Sequence, residues 1–153
     1  MEHERAKISE IAFLLILNLI GKRHNIHNIT VIILLDDEPD IVSVIGKVLQ
    51  LSGYEVNGFT DARKALKFFA ENLDKCSLVI TDLRMPHMNG IDFAAEVRKI
   101  NPDLKLLLMT AFETASYDKQ IAQLKFSTIL RKPIMPANLK ATVEKTLAAQ
   151  PTS

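Results

Sequence analysis

Short apolar runs alternate with segments of helical periodicity along most of this chain. Five candidate strands are predicted at residues 31–35, 55–59, 77–81, 105–110 and 127–131. All but the second lack a strict alternation of apolar and polar residues, which is typical of strands buried on both faces of a parallel sheet. We therefore expect the first, third, fourth and fifth strands to be covered on both faces.

Helical periodicity fills the intervals between these strands. Pro39 suits a first helical turn, and apolar residues follow it at the helical spacing. A second helix begins behind a capping Thr60 or Asp61, a third begins near Ile91, a weaker fourth spans residues 117–124, and a fifth closes the domain. Five strand–helix units predict an α/β fold, a doubly wound five-stranded parallel sheet.

A separate apolar segment precedes the first strand. Residues 8–20 read ISEIAFLLILNLI. This run is shorter than the roughly 20 apolar residues of a membrane span, and the mixed charges before it do not fit a signal peptide. We predict an extra N-terminal apolar helix that must be covered by this domain, a second copy or a partner. The chain then divides into helix and linker (1–28), a folded domain (29–150) and a tail (151–153).

Composition limits the classes of function. A length of 153 residues fits one domain with a short appendage, so a second catalytic or DNA-binding domain is not expected. Nineteen basic and eighteen acidic residues give a formal charge of +1, which provides no broad field for nucleic acid or an anionic membrane. The single cysteine, Cys76, excludes an intramolecular disulfide and a cysteine-based zinc site, and it fits a reducing cytoplasm.

Polar residues that could bind a ligand or take part in a reaction stand at the ends of four of the predicted strands. In an open α/β sheet, ligands bind beyond the carboxyl ends of the strands, so we expect these side chains to meet at one edge. They are Asp36, Asp37 and Glu38 after the first strand, Asp82 after the third, Thr110 at the end of the fourth, where Ala111 follows it, and Lys132 after the fifth, where Pro133 follows it.

Clustered carboxylates of this kind need a cation. They raise each other's pKa unless a positive charge neutralises them, and an all-oxygen ligand set favours a hard ion, above all Mg²⁺. A carboxylate can also attack phosphorus to form an aspartyl phosphate, while a hydroxyl and a lysine hold the oxygens of the transferred group. The pattern thus indicates Mg²⁺-dependent phosphoryl transfer to a carboxylate.

Four ordered motifs carry a resemblance to a known family. They are DDE at 36–38, DLRMPHMNG at 82–90, MTA at 109–111 and KP at 132–133. Over residues 30–149 the chain resembles the receiver domain of two-component response regulators, of the stand-alone chemotaxis-regulator type. The resemblance implies a flavodoxin-like sheet with strand order 2-1-3-4-5. It also implies a signalling domain that catalyses only its own phosphorylation and dephosphorylation, rather than an enzyme.

The resemblance assigns an acceptor and a metal site. Asp82 would take a phosphoryl group from the phosphohistidine of a histidine kinase or phosphotransfer protein. Asp37, Asp82 and the backbone carbonyl of Arg84 would bind Mg²⁺, and Asp36 would assist.

The resemblance also assigns residues that respond to the phosphoryl group. Lys132 would pair with it, and the Thr110 hydroxyl would swing toward it and pull the loop that starts at Ala111. Pro133 would follow a cis peptide bond.

Two departures from the family pattern concern the switch and its lifetime. Ile129 stands where the family usually has an aromatic residue that rotates inward, and a β-branched aliphatic has few rotamers. We therefore expect a muted or differently routed change on the face made by the fourth helix, fifth strand and fifth helix. Arg84 and Phe112 stand two positions past Asp82 and Thr110, and we expect these large side chains to shield an acyl phosphate from water.

Partners and alternatives complete the expectations. After the last predicted helix only a short tail remains, so we expect signalling in the cytoplasm by contact with an unidentified downstream protein, and a homodimer formed through the N-terminal helix is a further hypothesis. One alternative is a pseudo-receiver, an interaction module without the chemistry. Another is a haloacid-dehalogenase-like phosphohydrolase, although its DxDxT pattern is not matched at residues 36–40 and it leaves Asp82 unexplained.

Overall fold

The structure defines the folded domain of the chain. It is a computed structural model that describes residue 12 and residues 29–149. Apart from residue 12, the predicted N-terminal helix over residues 8–20 lies outside the described residues, and so does the predicted tail over 151–153.

Strands and helices alternate through residues 29–149. The strands are β1 (Val31–Leu35), β2 (Glu55–Phe59), β3 (Cys76–Asp82), β4 (Lys105–Thr110) and β5 (Thr128–Arg131). The helices are α1 (Pro39–Leu51), α2 (Ala62–Glu71), α3 (Gly90–Ile100), α4 (Asp118–Gln123) and α5 (Pro136–Ala148), and a 3₁₀ turn at Ala115–Tyr117 precedes α4. Within the described part of the chain, none of these helices has both the length and the apolar character that crossing a membrane requires.

All five strands join one parallel sheet in the order β2-β1-β3-β4-β5. This is the doubly wound, flavodoxin-like arrangement expected from the sequence, and the fold class is confirmed. The order places β1, β3 and β4 in the middle of the sheet and leaves β2 and β5 at its edges.

Local sequence signals explain where several helices begin. Asp61 caps α2 by accepting a hydrogen bond from the Arg63 backbone N–H at 2.8 Å. Asn89 caps α3 in the same way, with the Asp92 N–H at 2.8 Å. In both helices the side-chain oxygen satisfies a backbone donor that has no partner inside the helix. Helices α1 and α5 instead start with a proline, which has no N–H to satisfy.

Two layers of apolar side chains cover the sheet. Ile32 and Leu34 of β1 face α1 and α5, whereas Ile33 and Leu35 face α2 and α3. All four are completely buried, as the alternation of side chains along a central strand requires. Helix α4 differs because it contributes no buried residue, and it touches a smaller cluster of three buried residues through partly buried side chains. The central strands therefore give the site a rigid base, while α4 is attached more lightly.

The expectation that β5 is buried on both faces is wrong. Thr128 and Arg131 are exposed, Ile129 is partly buried, and within β5 only Leu130 is buried. The reason is position, because β5 forms an edge of the sheet and pairs only with β4 there. Burial of Val31–Leu35, by contrast, is complete, as predicted for a central strand.

Two glycines at the contact between α1 and β2 predict opposite mutational effects. A Cβ at Gly58 would lie 2.4 Å from Cγ1 of Val42, whereas a Cβ at Gly46 would meet ordinary contacts of 3.8 and 3.9 Å. We expect Gly58→Ala to lower the free energy of unfolding by about 1–3 kcal/mol through overpacking. Gly46→Ala should raise it by about 0.5–1 kcal/mol because alanine favours a helix interior.

Urea denaturation followed by circular dichroism measures both changes. The double variant Gly58→Ala/Val42→Ala should recover part of the loss, because it removes the atom that the new Cβ would meet. Equal stability of the Gly58→Ala and Gly46→Ala variants would contradict this account of the α1–β2 contact.

Candidate functional site

The predicted site residues meet at the carboxyl edge of the sheet. Asp36 directly follows β1, Asp82 ends β3, Thr110 ends β4 and Lys132 directly follows β5. Asp36 and Thr110 are fully buried, and Asp82 is 5% exposed. Because four parallel strands end side by side, residues far apart in the sequence become neighbours, as the strand pattern predicted.

Lys132 joins two of the carboxylates. Its ammonium donates to Oδ2 of Asp36 at 2.5 Å and lies 3.3 Å from Oδ1 of Asp82. The Lys132 backbone N–H donates to the carbonyl of Thr110 at 2.9 Å, which holds the backbone after β5 against the end of β4. The peptide bond between Lys132 and Pro133 is cis, as expected. One cation thus bridges the ends of β1 and β3 from the edge of the sheet.

Burial and neighbouring charges shift the pKa of two groups in the site, Asp82 and Lys132. Burial raises the pKa of Asp82 above its ordinary value, and the negative charge of Asp36 raises it further, while Lys132 opposes both effects. Burial alone would lower the pKa of Lys132, but its hydrogen bond to Asp36 and the charge of Asp82 outweigh burial, so its pKa is raised. The lysine therefore stays protonated, and the ionised form of Asp82 is disfavoured.

A third carboxylate completes a possible metal site. Asp36, Asp37 and Asp82 each place one oxygen within 4.8 Å of the others. Three carboxylates cluster here and the Lys132 ammonium contacts two of them, so the acidic groups outnumber this cation. Carboxylate oxygens at this spacing fit a hard divalent cation such as Mg²⁺. The role predicted for the backbone carbonyl of Arg84 stays a prediction.

Gly90 was missed as a site residue, although it closes the motif at residues 82–90. A Cβ on Gly90 would lie 2.0 Å from the carbonyl oxygen of Asp82, and that atom belongs to the backbone and cannot move aside cheaply. The Gly90 N–H also donates to the carbonyl of Leu83 at 2.8 Å. The start of α3 therefore packs directly against the backbone that carries Asp82, and only glycine permits this approach.

The loop after β4 is held by Thr110. Its hydroxyl accepts a hydrogen bond from the Phe112 N–H at 2.9 Å and donates to the Phe112 carbonyl at 3.3 Å. Arg84 places its guanidinium carbon 4.1 Å from the centre of the Phe112 ring, within the range of a cation–π interaction. The two large residues selected from the sequence therefore contact each other.

Three other predicted switch residues lie around this loop. Ala111 and Pro133 are exposed. Ile129 is partly buried and packs against the cluster of Leu83, Ile91 and Leu108. Its side chain already belongs to an apolar cluster, and its predicted muted response stays a prediction.

The raised pKa of Asp82 predicts how its charge affects stability. Because the folded-state pKa is above the unfolded value, ionisation of Asp82 opposes folding, and this effect grows as pH rises through the two values and is complete above both. Without divalent cations at neutral pH, we expect Asp82→Asn to raise the free energy of unfolding.

Asp36→Asn is the matched control in that measurement. It removes a carboxylate from the same cluster, but it also weakens the 2.5 Å contact with Lys132, so its gain should be smaller or negative. Urea denaturation of both variants in the presence of a chelator measures the difference. A loss of stability in Asp82→Asn would contradict the prediction drawn from the raised pKa of Asp82.

Comparison with known proteins agrees with the fold. The chain matches the response regulator receiver domain family over residues 32–144. It is 31% identical over 118 residues to the response regulator receiver protein CpdR of Brucella abortus (strain 2308), covering 77% of this chain and 97% of that protein. It is 34% identical over 119 residues to the transcriptional regulatory protein ZraR of Escherichia coli (strain K12), covering 76% of this chain but only 26% of that longer protein.

Solved structures give the same result. A response regulator receiver domain protein from Clostridium thermocellum aligns with a TM-score of 0.73 at 27% identity, covering 77% of this chain and 94% of that one. The response regulator protein TrrA from Thermotoga maritima, solved in complex with Mg(2+)-BeF, aligns with a TM-score of 0.68 at 33% identity, covering 76% and 98%. With its five-stranded parallel sheet and its cluster of aspartates, this chain belongs to the response regulator receiver domain family.

Proposed function

We propose that this receiver domain accepts a phosphoryl group on Asp82 from the phosphohistidine of a histidine kinase or phosphotransfer protein and signals by contact with a downstream protein. The observation that carries the proposal is the contact of Lys132 with Asp36 and Asp82 beside the third carboxylate, Asp37. It combines a nucleophile, a fixed cation and a metal-binding set at one edge of the sheet.

The contacts favour Asp82 as the nucleophile over Asp36. Both carboxylate oxygens of Asp36 accept hydrogen bonds, one from Lys132 at 2.5 Å and one from the Glu38 N–H at 2.9 Å. Asp82 contacts Lys132 at a longer distance of 3.3 Å. In the reaction, one Asp82 oxygen forms the bond to phosphorus as the bond from phosphorus to the donor histidine nitrogen breaks. That nitrogen keeps the electron pair and takes up a proton.

Mg²⁺ fits the remaining charge of the site. Asp36, Asp37 and Asp82 would hold it, with the backbone carbonyl of Arg84 as a further ligand. When bound, the ion neutralises the carboxylates and the phosphoryl oxygens, as phosphoryl transfer requires. The similarity to TrrA, which was solved with Mg(2+)-BeF, supports this choice of metal.

Lys132 and Thr110 complete the proposed chemistry. Burial lowers the pKa of Lys132, but Asp36 and Asp82 raise it by more than this. Lys132 therefore carries a positive charge that can pair with a phosphoryl oxygen. Thr110 is fully buried, and its hydroxyl is engaged with the backbone of Phe112. Turning this hydroxyl toward a phosphoryl oxygen would break both contacts, which links phosphorylation to the loop after β4.

Self-association through residues 8–20 and a cytoplasmic location rest on the sequence alone. Comparing the mass in solution of the full chain with that of a chain lacking residues 1–25 tests the homodimer, because a monomer in both cases would exclude it.

Phosphorylation is tested directly with a small phosphodonor such as acetyl phosphate. With Mg²⁺ we expect a mass increase of one phosphoryl group, which should be absent in Asp82→Asn and strongly reduced when a chelator removes the metal. Asp37→Asn should raise the Mg²⁺ concentration that the reaction needs, because it removes one proposed metal ligand and leaves the acceptor oxygen in place.

The same experiment separates the alternatives. A pseudo-receiver would show no mass increase under any condition. A haloacid-dehalogenase-like phosphohydrolase would lose its reaction with Asp36→Asn and retain it in Asp82→Asn. Either result would overturn the assignment of Asp82 as the acceptor.

We further infer that the contact between Arg84 and Phe112 shields the acyl phosphate from water. The two side chains meet at 4.1 Å and stand after the acceptor aspartate and the switch threonine on neighbouring strands. Arg84→Ala and Phe112→Ala should each speed autodephosphorylation. The expected increase is about threefold to tenfold, which corresponds to the loss of one cation–π interaction. The loss of the phosphoryl mass after removal of the donor measures the rate of autodephosphorylation. Unchanged rates in both variants would contradict this inference.

A further inference from the structure

A second arginine holds the same loop from the neighbouring strand. Arg131, the last residue of β5, donates from Nη1 to the carbonyl of Phe112 at 2.6 Å. The donor carries a full charge, and such hydrogen bonds are stronger than neutral ones. Arg131 directly precedes Lys132, so two successive residues at the end of β5 contact the loop after β4 and the carboxylate of Asp36, respectively.

Phe112 is therefore held by two residues of different strands. Thr110 of β4 binds its N–H at 2.9 Å and approaches its carbonyl at 3.3 Å, whereas Arg131 of β5 binds that carbonyl at 2.6 Å. The shorter contact belongs to Arg131. If the Thr110 hydroxyl turns toward a phosphoryl oxygen, the N–H of Phe112 loses its acceptor, but its carbonyl keeps the arginine.

The side chain of Phe112 needs this support. It is 46% exposed, so apolar packing alone fixes it weakly. Its ring contacts Arg84, which is itself exposed. Because both side chains are exposed, their contact depends on the backbone of Phe112 being held in place.

We propose that Arg131 is a positioning residue that keeps Phe112 over the phosphorylation site after the Thr110 hydroxyl has turned away, and that it thereby sets the lifetime of phosphorylated Asp82. The inference rests on the proposed function of Asp82. Arg131 is a residue that sequence reasoning missed. Its proposed effect on the lifetime of phosphorylated Asp82 requires no movement of Ile129.

Arg131→Met tests the proposal, because methionine keeps an unbranched apolar side chain but has no donor. After phosphorylation and removal of the donor, we expect hydrolysis to speed up by about threefold to tenfold, as for loss of one solvent-exposed hydrogen bond. The ratio of the dephosphorylation to the phosphorylation rate constant should rise. Arg131→Lys should recover part of the lifetime, because it retains a charged donor.

Two controls separate positioning from other effects. Arg63→Met removes an exposed arginine whose guanidinium binds Asp61, the residue that caps α2, so it should leave the lifetime unchanged. In a Phe112→Ala background, Arg131→Met should add little, because the ring that Arg131 positions is gone. An equal acceleration in that background would show that Arg131 acts by its charge alone, and it would overturn the proposal.

Amide hydrogen exchange at Phe112 in the unphosphorylated chain provides an independent readout. Arg131→Met should speed this exchange, while Arg63→Met should not. An unchanged exchange rate together with an unchanged lifetime would overturn the proposal even though Asp82 is phosphorylated. If the unsubstituted chain takes up no phosphoryl group, the proposed function has failed, and the inference fails with it for that separate reason.

Discussion

The contact of Lys132 with Asp36 and Asp82 is the interaction on which the candidate site depends. It places a cation against one fully buried carboxylate and one that is 5% exposed. Buried charges are costly unless they are paired, and removing the cation of a buried pair typically costs about 3–5 kcal/mol because the remaining charge is uncompensated. The lysine therefore makes a cluster of acidic side chains compatible with folding.

This interaction is created by the sheet topology. Asp36 follows the central strand β1, Asp82 ends its neighbour β3, and Lys132 arrives from the edge strand β5. Buried central strands fix the acidic residues rigidly, while the edge strand leaves Arg131 exposed and free to reach the loop after β4. The same architecture thus supports a fixed cluster of charged residues and, beside it, a loop held by Thr110 and Arg131.

Much of this arrangement could be predicted from the sequence because it depends on local patterns. Apolar runs located the strands, and the polar residues directly after them identified Asp82, Thr110 and Lys132, since parallel strands bring their carboxyl ends to one edge. The strand order came only from the resemblance to receivers, because hydrophobic periodicity does not tell which strands are neighbours.

Other features depend on tertiary contacts that a linear pattern does not contain. The exposure of β5 follows from its place at the sheet edge, and the approach of Gly90 to the backbone of Asp82 follows from how α3 packs. Arg131 has no distinctive sequence signal, because a charged residue before a lysine is ordinary until a structure shows the carbonyl that it binds.

The central claim, that Asp82 receives the phosphoryl group, is tested most directly by locating the modified residue. Borohydride reduces an aspartyl phosphate to homoserine, and peptide mass spectrometry of the phosphorylated and reduced chain then identifies the position. The account predicts homoserine at residue 82 in a Mg²⁺-dependent yield. Modification at residue 36 or 37, or phosphate retained on a histidine, would contradict it.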